Sequence, residues 1–179
     1  MCGCSFFSAA ELQDVMDGID TKVDRLAKRL LAAGEITDGH AELGFTKRLA
    51  AIEQDWPGAA VLIHQERDLD EATRALWSHP RLLALTSSII GPELAGNPVW
   101  NLRSKTPAMA LTTVPWHQDI AYLCPGAEST PQPTAWIPLL DVSEHNGTLK
   151  FIKGGHRSTN GDEQTIMRKS TSSPFSLLF

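Results

Sequence analysis

TTVPWHQDIAYL, residues 112–123, is an apolar, aromatic, β-prone run that carries His117 and Asp119 one residue apart. A strand sends residues i and i+2 to the same face, so an imidazole and a carboxylate would point at one spot. Such a pair can hold a metal, or it can be a hydrogen bond with no chemistry. The tripeptide His117-Gln118-Asp119 alone leaves both readings open.

On either side of this run the character is the same. PVWNLRSK (98–105), MALTTVPWHQDIAYL (109–123), PTAWIPLLDV (133–142) and TLKFIKGG (148–155) are rich in β-branched and aromatic residues and are separated by Pro, Gly, Ser and Asn. Upstream the period changes. Residues 8–33 read as a long amphipathic helix, with Ser8 and Glu11 as a capping box and Leu12, Val15, Met16, Ile19, Val23, Leu26 and Leu30 at helical spacing. Gly34 supplies its stop. Residues 42–54 form a weaker helix, and AAVLIH after Trp56-Pro57-Gly58 is too short to assign. Asp70 to Trp77 is helical, and His79-Pro80 restarts a helix that runs to Gly91-Pro92.

A helical half followed by successive strands predicts an α+β domain with helices packed on a sheet or jelly roll. The organisation expected is a helical region over 1–95, strands over 96–157 and a divergent tail over 158–179. That tail is poor in apolar residues until a terminal PFSLLF and reads as disordered with a sticky end.

Composition narrows the function classes. With 179 residues, 42% hydrophobic and 21% charged, the chain is one ordinary globular domain. A net charge of −5 argues against nucleic acid as partner, since phosphate neutralisation needs a basic face. No apolar run approaches the ~20 residues a membrane helix requires. No basic stretch precedes the short apolar patch of MCGCSFFSAAELQ, so a cytoplasmic chain without a targeting signal is expected. Three cysteines, Cys2, Cys4 and Cys124, make no disulfide framework and fit a reducing compartment.

Two histidines and a carboxylate on one face of an octahedral ion form the facial triad of non-haem Fe(II) oxygenases, of which H-x-D on one strand supplies two members. The surrounding segments then matter. TVPWHQDIAYL, QPTAWIPLLD and NGTLKFIKGGHR, with WNLRSKTP upstream, closely resemble the phytanoyl-CoA dioxygenase family of Fe(II)/2-oxoglutarate oxygenases. ALWSHPRLLAL and IIGPEL match more loosely. The strong resemblance covers residues 98–157 and a weaker one reaches back to about residue 56.

The resemblance implies that His117 and Asp119 are metal ligands and that Trp136 lines the 2-oxoglutarate pocket. Asn101 and Lys105 fall near positions that touch this co-substrate, and their even spacing puts them on one strand face. It also implies a double-stranded β-helix (jelly roll) of which this chain carries the first strands, the distal ones being absent. The small or acyl-type substrate cannot be read.

In the resembled family a further His and an Arg follow well downstream, and the match here stops at His156-Arg157-Ser158. The chain is therefore expected to be inactive as it stands and to self-associate through unpaired strand edges. A non-catalytic binding or regulatory fragment, or a product without function, is the alternative. Of the other histidines, His156 and His145 read as turn residues, and His40, His64 and His79 as lacking a carboxylate at ligand spacing. Glu11, Asp14, Asp17, Asp20 and Asp24 read as the solvated face of the first helix.

Overall fold

Ser8 opens α1 (Ala9–Ala32) with the reciprocal cap its spacing predicts: the Glu11 amide donates to Ser8 Oγ at 3.3 Å, and the Ser8 amide donates to Glu11 Oε2 at 2.8 Å. The computed structural model describes residues 6–66, 68–96, 100–106, 126, 129–143 and 147–153, and the backbone alone at 175–178. At its other end α1 closes in a Schellman arrangement. Gly34, at φ 73°, donates to Leu31 O, and the Glu35 amide donates to Leu30 O, both at 3.0 Å.

Leu12, Val15, Ile19, Val23, Leu26 and Leu30 form one buried stripe along α1. Around it pack α2 (Arg48–Asp55), α3 (Ala59–Gln65) and α4 (Glu71–Trp77). Leu49, Ile52, Ala59, Ala60, Ile63 and Leu76 close this core against the stripe. The predicted weak helix over 42–54 divides into a 3₁₀ turn, Ala41–Leu43, and α2. The division falls at Gly44, whose φ of 66° suits glycine.

AAVLIH, too short to assign from sequence, is helix α3. Its start is made by Glu53 of α2, whose two carboxylate oxygens accept the amides of Gly58 at 2.9 Å and Ala60 at 2.7 Å. Helix α5 (Pro80–Ile90) follows Pro80 as expected, with the His79 ring accepting the Arg81 amide at 3.2 Å. Arg81 pairs with Glu11 and lies over the rings of Phe6 and Phe7, which docks the start of α5 on the start of α1.

Among the described residues three strands follow: β1 (Asn101–Ser104), β2 (Trp136–Pro138) and β3 (Phe175–Leu178), in the antiparallel order β1-β3-β2. β3 comes from the terminal PFSLLF, so the expectation of a disordered tail is corrected at these four residues. An apolar run beside two strand edges gains a ladder on both sides, and that outweighs its weak sequence signal. A second correction concerns TLKFIKGG, whose described residues 148–153 lie in no strand. Phe151 is 84% exposed, and among the described residues this run has no ladder partner that would hold it as a strand. The predicted strand over 109–123 lies outside the described residues, 126 aside from its flank. No described helix is long and apolar enough to cross a membrane.

Candidate functional site

Alternation along β1 and just past it decides which side chains can meet a ligand. Leu102, Ser104 and Thr106 are buried, whereas Asn101, Arg103 and Lys105 are half-buried. The buried set faces α3. Ser104 Oγ donates to Ala60 O at 3.0 Å, and His64 Nδ1–H donates to Leu102 O at 2.9 Å. His64 is thereby a structural residue that pins the strand to the helix.

The other set shares the face turned away from α3. Asn101 and Trp136 both lie opposite Leu178 in the ladder, on either side of β3. Partners in a ladder point to the same face, so Asn101 and Trp136 sit side by side across two inter-strand spacings, roughly 9–10 Å apart at their backbones. Arg103 and Pro138 face Ser176 in the same way. Three residues the sequence singled out, Asn101, Lys105 and Trp136, therefore share one side of the sheet.

Lys105 carries the strongest electrostatic feature there. Its Nζ donates to Gly147 O at 3.3 Å. Burial lowers its pKa from the ordinary lysine value, and the Arg103 guanidinium lowers it further. The sequence reading did not single out Arg103, although its even spacing from Asn101 and Lys105 puts it on their strand face.

His117 and Asp119 lie outside the described residues, as do His145, His156 and all three cysteines. Among described residues the metal-capable groups that approach one another are Asp38, His40 and Glu42, with ligand atoms within 4.8 Å. This corrects the reading of His40 as lacking a carboxylate. Its Nε2 stands 2.7 Å from Asp55 Oδ2, and its amide donates to Asp38 Oδ1 at 2.8 Å. The Asp55 hydrogen bond comes first among the causes that raise the His40 pKa above its ordinary value.

A raised imidazole pKa stabilises the fold most at pH below the ordinary histidine value, ~6.5, and that contribution is lost as pH rises through the folded value. Following His40 by NMR through pH 5–9 is expected to give a raised midpoint that moves back toward the ordinary value in Asp55→Asn, with Asp38 and Glu42 still raising it. An unchanged midpoint in that variant would remove Asp55 as the cause.

The acidic face of α1 also needs correction. Asp24 Oδ1 accepts from the buried Arg48 guanidinium at 2.9 Å, and Asp24 Oδ2 pairs with Lys28 at 2.6 Å. Glu11 pairs with Arg81. These carboxylates hold loops and helices in place.

Comparison with known proteins agrees with the resemblance. The model of the family described as phytanoyl-CoA dioxygenase (PhyH) matches residues 4–174. Two curated relatives, each named 1-deoxypentalenic acid 11-beta-hydroxylase, come from Streptomyces arenae and Streptomyces exfoliatus. Each is 28% identical over 148 residues, covering 78% of this chain and 48% of the relative. The chain thus spans about half the length of the curated relatives it matches. No solved structure matches. With a match running through nearly all of its length, the chain belongs to the phytanoyl-CoA dioxygenase family.

Proposed function

We propose that this chain carries the iron- and keto-acid-binding strands of an Fe(II)/2-oxoglutarate oxygenase that hydroxylates a small or acyl-type organic substrate. The observation that carries the reading is the shared sheet face of Asn101, Lys105 and Trp136, on strands that flank the H-x-D segment in sequence. Its chemistry suits a keto acid. Lys105 offers a cation in a half-buried setting, where charge interactions are stronger than in bulk water. Trp136 offers a flat apolar wall, and Asn101 an amide that can donate and accept.

Iron would be held by His117 and Asp119, and when bound with 2-oxoglutarate it would supply activation of O₂ for hydroxylation. This chain's own residues do the positioning. Lys105 is held by the Gly147 carbonyl, Asn101 by the strand that α3 anchors, and Trp136 by β2. The double-stranded β-helix that would surround them is part of this proposal. The hydroxylase relatives are consistent with an organic-acid substrate of the full-length protein.

Titration with Mn(II), a redox-silent stand-in for Fe(II), tests the ligand pair. His117→Ala and Asp119→Ala are each expected to remove nearly all divalent-metal affinity, because a site with two protein ligands is weak and has no reserve. Undiminished binding in both variants would place the metal elsewhere.

A further inference from the structure

We infer that the start of α5 is a pH-operated latch: a neutral His79 ring holds the helix on the start of α1, and protonation of that ring releases it. The inference stands apart from the oxygenase reading and uses none of its residues.

The attachment of α5 is concentrated at one end. Leu82 is its one buried residue, whereas Leu83, Leu85 and Ile89 are exposed. The contacts that dock it come from His79 and Arg81. Arg81 pairs with Glu11, and its guanidinium lies 5.6 Å from the Phe6 ring centroid and 5.2 Å from that of Phe7. The His79 ring meets Phe7 edge to face, with centroids 5.1 Å apart. Its Nδ1 also accepts the Arg81 amide at 3.2 Å, which makes His79 the helix cap.

That cap exists in one protonation state. A neutral imidazole accepts at one ring nitrogen, while an imidazolium donates at both and accepts at neither. Protonation therefore takes the acceptor from the Arg81 amide and sets a positive charge at the positive end of the helix dipole. Among the described residues the charged groups around the ring are Glu11 on α1 and Arg81 on its own helix. Arg81 repels the new charge. Glu11 attracts it, but both of its oxygens are taken: Oε2 accepts the Ser8 amide at 2.8 Å and Ser8 Oγ at 2.7 Å, and Oε1 accepts from Arg81. Phe7 adds little, since its ring already carries the Arg81 guanidinium. Loss of the cap and repulsion by the dipole thus outweigh one shared carboxylate. Histidine is also the side chain whose charge ordinarily changes between pH 5 and 8.

Amide hydrogen exchange of the 179-residue chain reads the latch when expressed as protection factors, from which the intrinsic pH dependence of exchange drops out. Protection over residues 84–90 is expected to fall about tenfold between pH 7.5 and 5.5, the combined effect of a lost helix cap and an unfavourable end charge, while α1 keeps its own. The fall should follow the titration of the His79 ring signals. His79→Asn keeps a capping acceptor that does not titrate and should abolish the fall. Glu11→Gln should lower the protection of α5 at both pH values and leave the fall in place. Protection of α1 in the same spectra shows that each variant is folded. A fall that persists in His79→Asn, or disappears in Glu11→Gln, puts the proton elsewhere and overturns the latch. So does an α5 that is equally protected at both pH values, or one that loses protection in step with α1.

Discussion

Incubated with Fe(II), ascorbate and 2-oxoglutarate, a polypeptide of these 179 residues is expected to form no succinate above the iron-only background. On the proposed reading His117 and Asp119 would provide two protein ligands, and none of the residues after Ser158 in this polypeptide is a histidine. An ion held by only two side chains does not keep its open positions in a fixed relation to one another. Small misplacements of reacting groups cost ~100-fold in rate. Extending the chain with the C-terminal half of a hydroxylase relative is expected to bring succinate formation back by at least that factor. Succinate from the short chain, abolished by His156→Ala, would show that His156 completes the metal site.

The second large effect is on stability. Asp70→Ala is expected to cost ~3–5 kcal/mol, the usual penalty for leaving a buried charge without its partner. Lys22 is 3% exposed on α1, where its Nζ donates to Asp68 O, stands 3.3 Å from Asp70 Oδ2 and lies 5.4 Å from the Trp100 ring centroid. Asp70 also begins α4 by accepting the Thr73 amide at 2.8 Å. One carboxylate thus neutralises a buried ammonium and caps a helix.

Burial pushes the Asp70 carboxyl up, but the bonds from Thr73 and the Lys22 ammonium outweigh it and hold the pKa below the ordinary value. A lowered carboxylate pKa gives stability that is present above the unfolded value, ~3.9, and is lost as pH falls through the folded one. Urea unfolding at pH 7 and again near pH 3 checks both points. A loss under ~1 kcal/mol at pH 7 would show that water reaches Lys22 readily.

The helices that sequence reading found most securely are those whose signals are local. Ser8, Glu11, Gly34 and Pro80 act on residues within a turn of themselves, and each ended or started a helix where its spacing required. Helix α3 was not assignable because its cap comes from Glu53 on the preceding helix, a contact no window over AAVLIH contains. β3 was missed for a related reason: four apolar residues become a strand when two edges flank them, and those edges lie far away in sequence. At the site, the strand period alone placed Asn101 and Lys105 on one face. Their alignment with Trp136 needed the ladder through β3, and the same ladder exposes Arg103 as their neighbour. His40 shows the converse limit, since its Asp55 partner is brought close by the turn between the 3₁₀ segment and α2.

The two bonds from Ser104 to Ala60 O and from His64 to Leu102 O make α3 a ruler for β1. A slip of one residue would turn Arg103 into the helical layer and carry Leu102 to the opposite face, with loss of both bonds. The register of the face that carries Asn101, Arg103 and Lys105 is therefore set by the helical half as well as by the ladder to β3. A chimera that retains residues 6–106 should therefore keep the alignment of Asn101, Arg103 and Lys105 whichever relative supplies the residues that follow, which makes this boundary the natural one for exchanging segments between relatives.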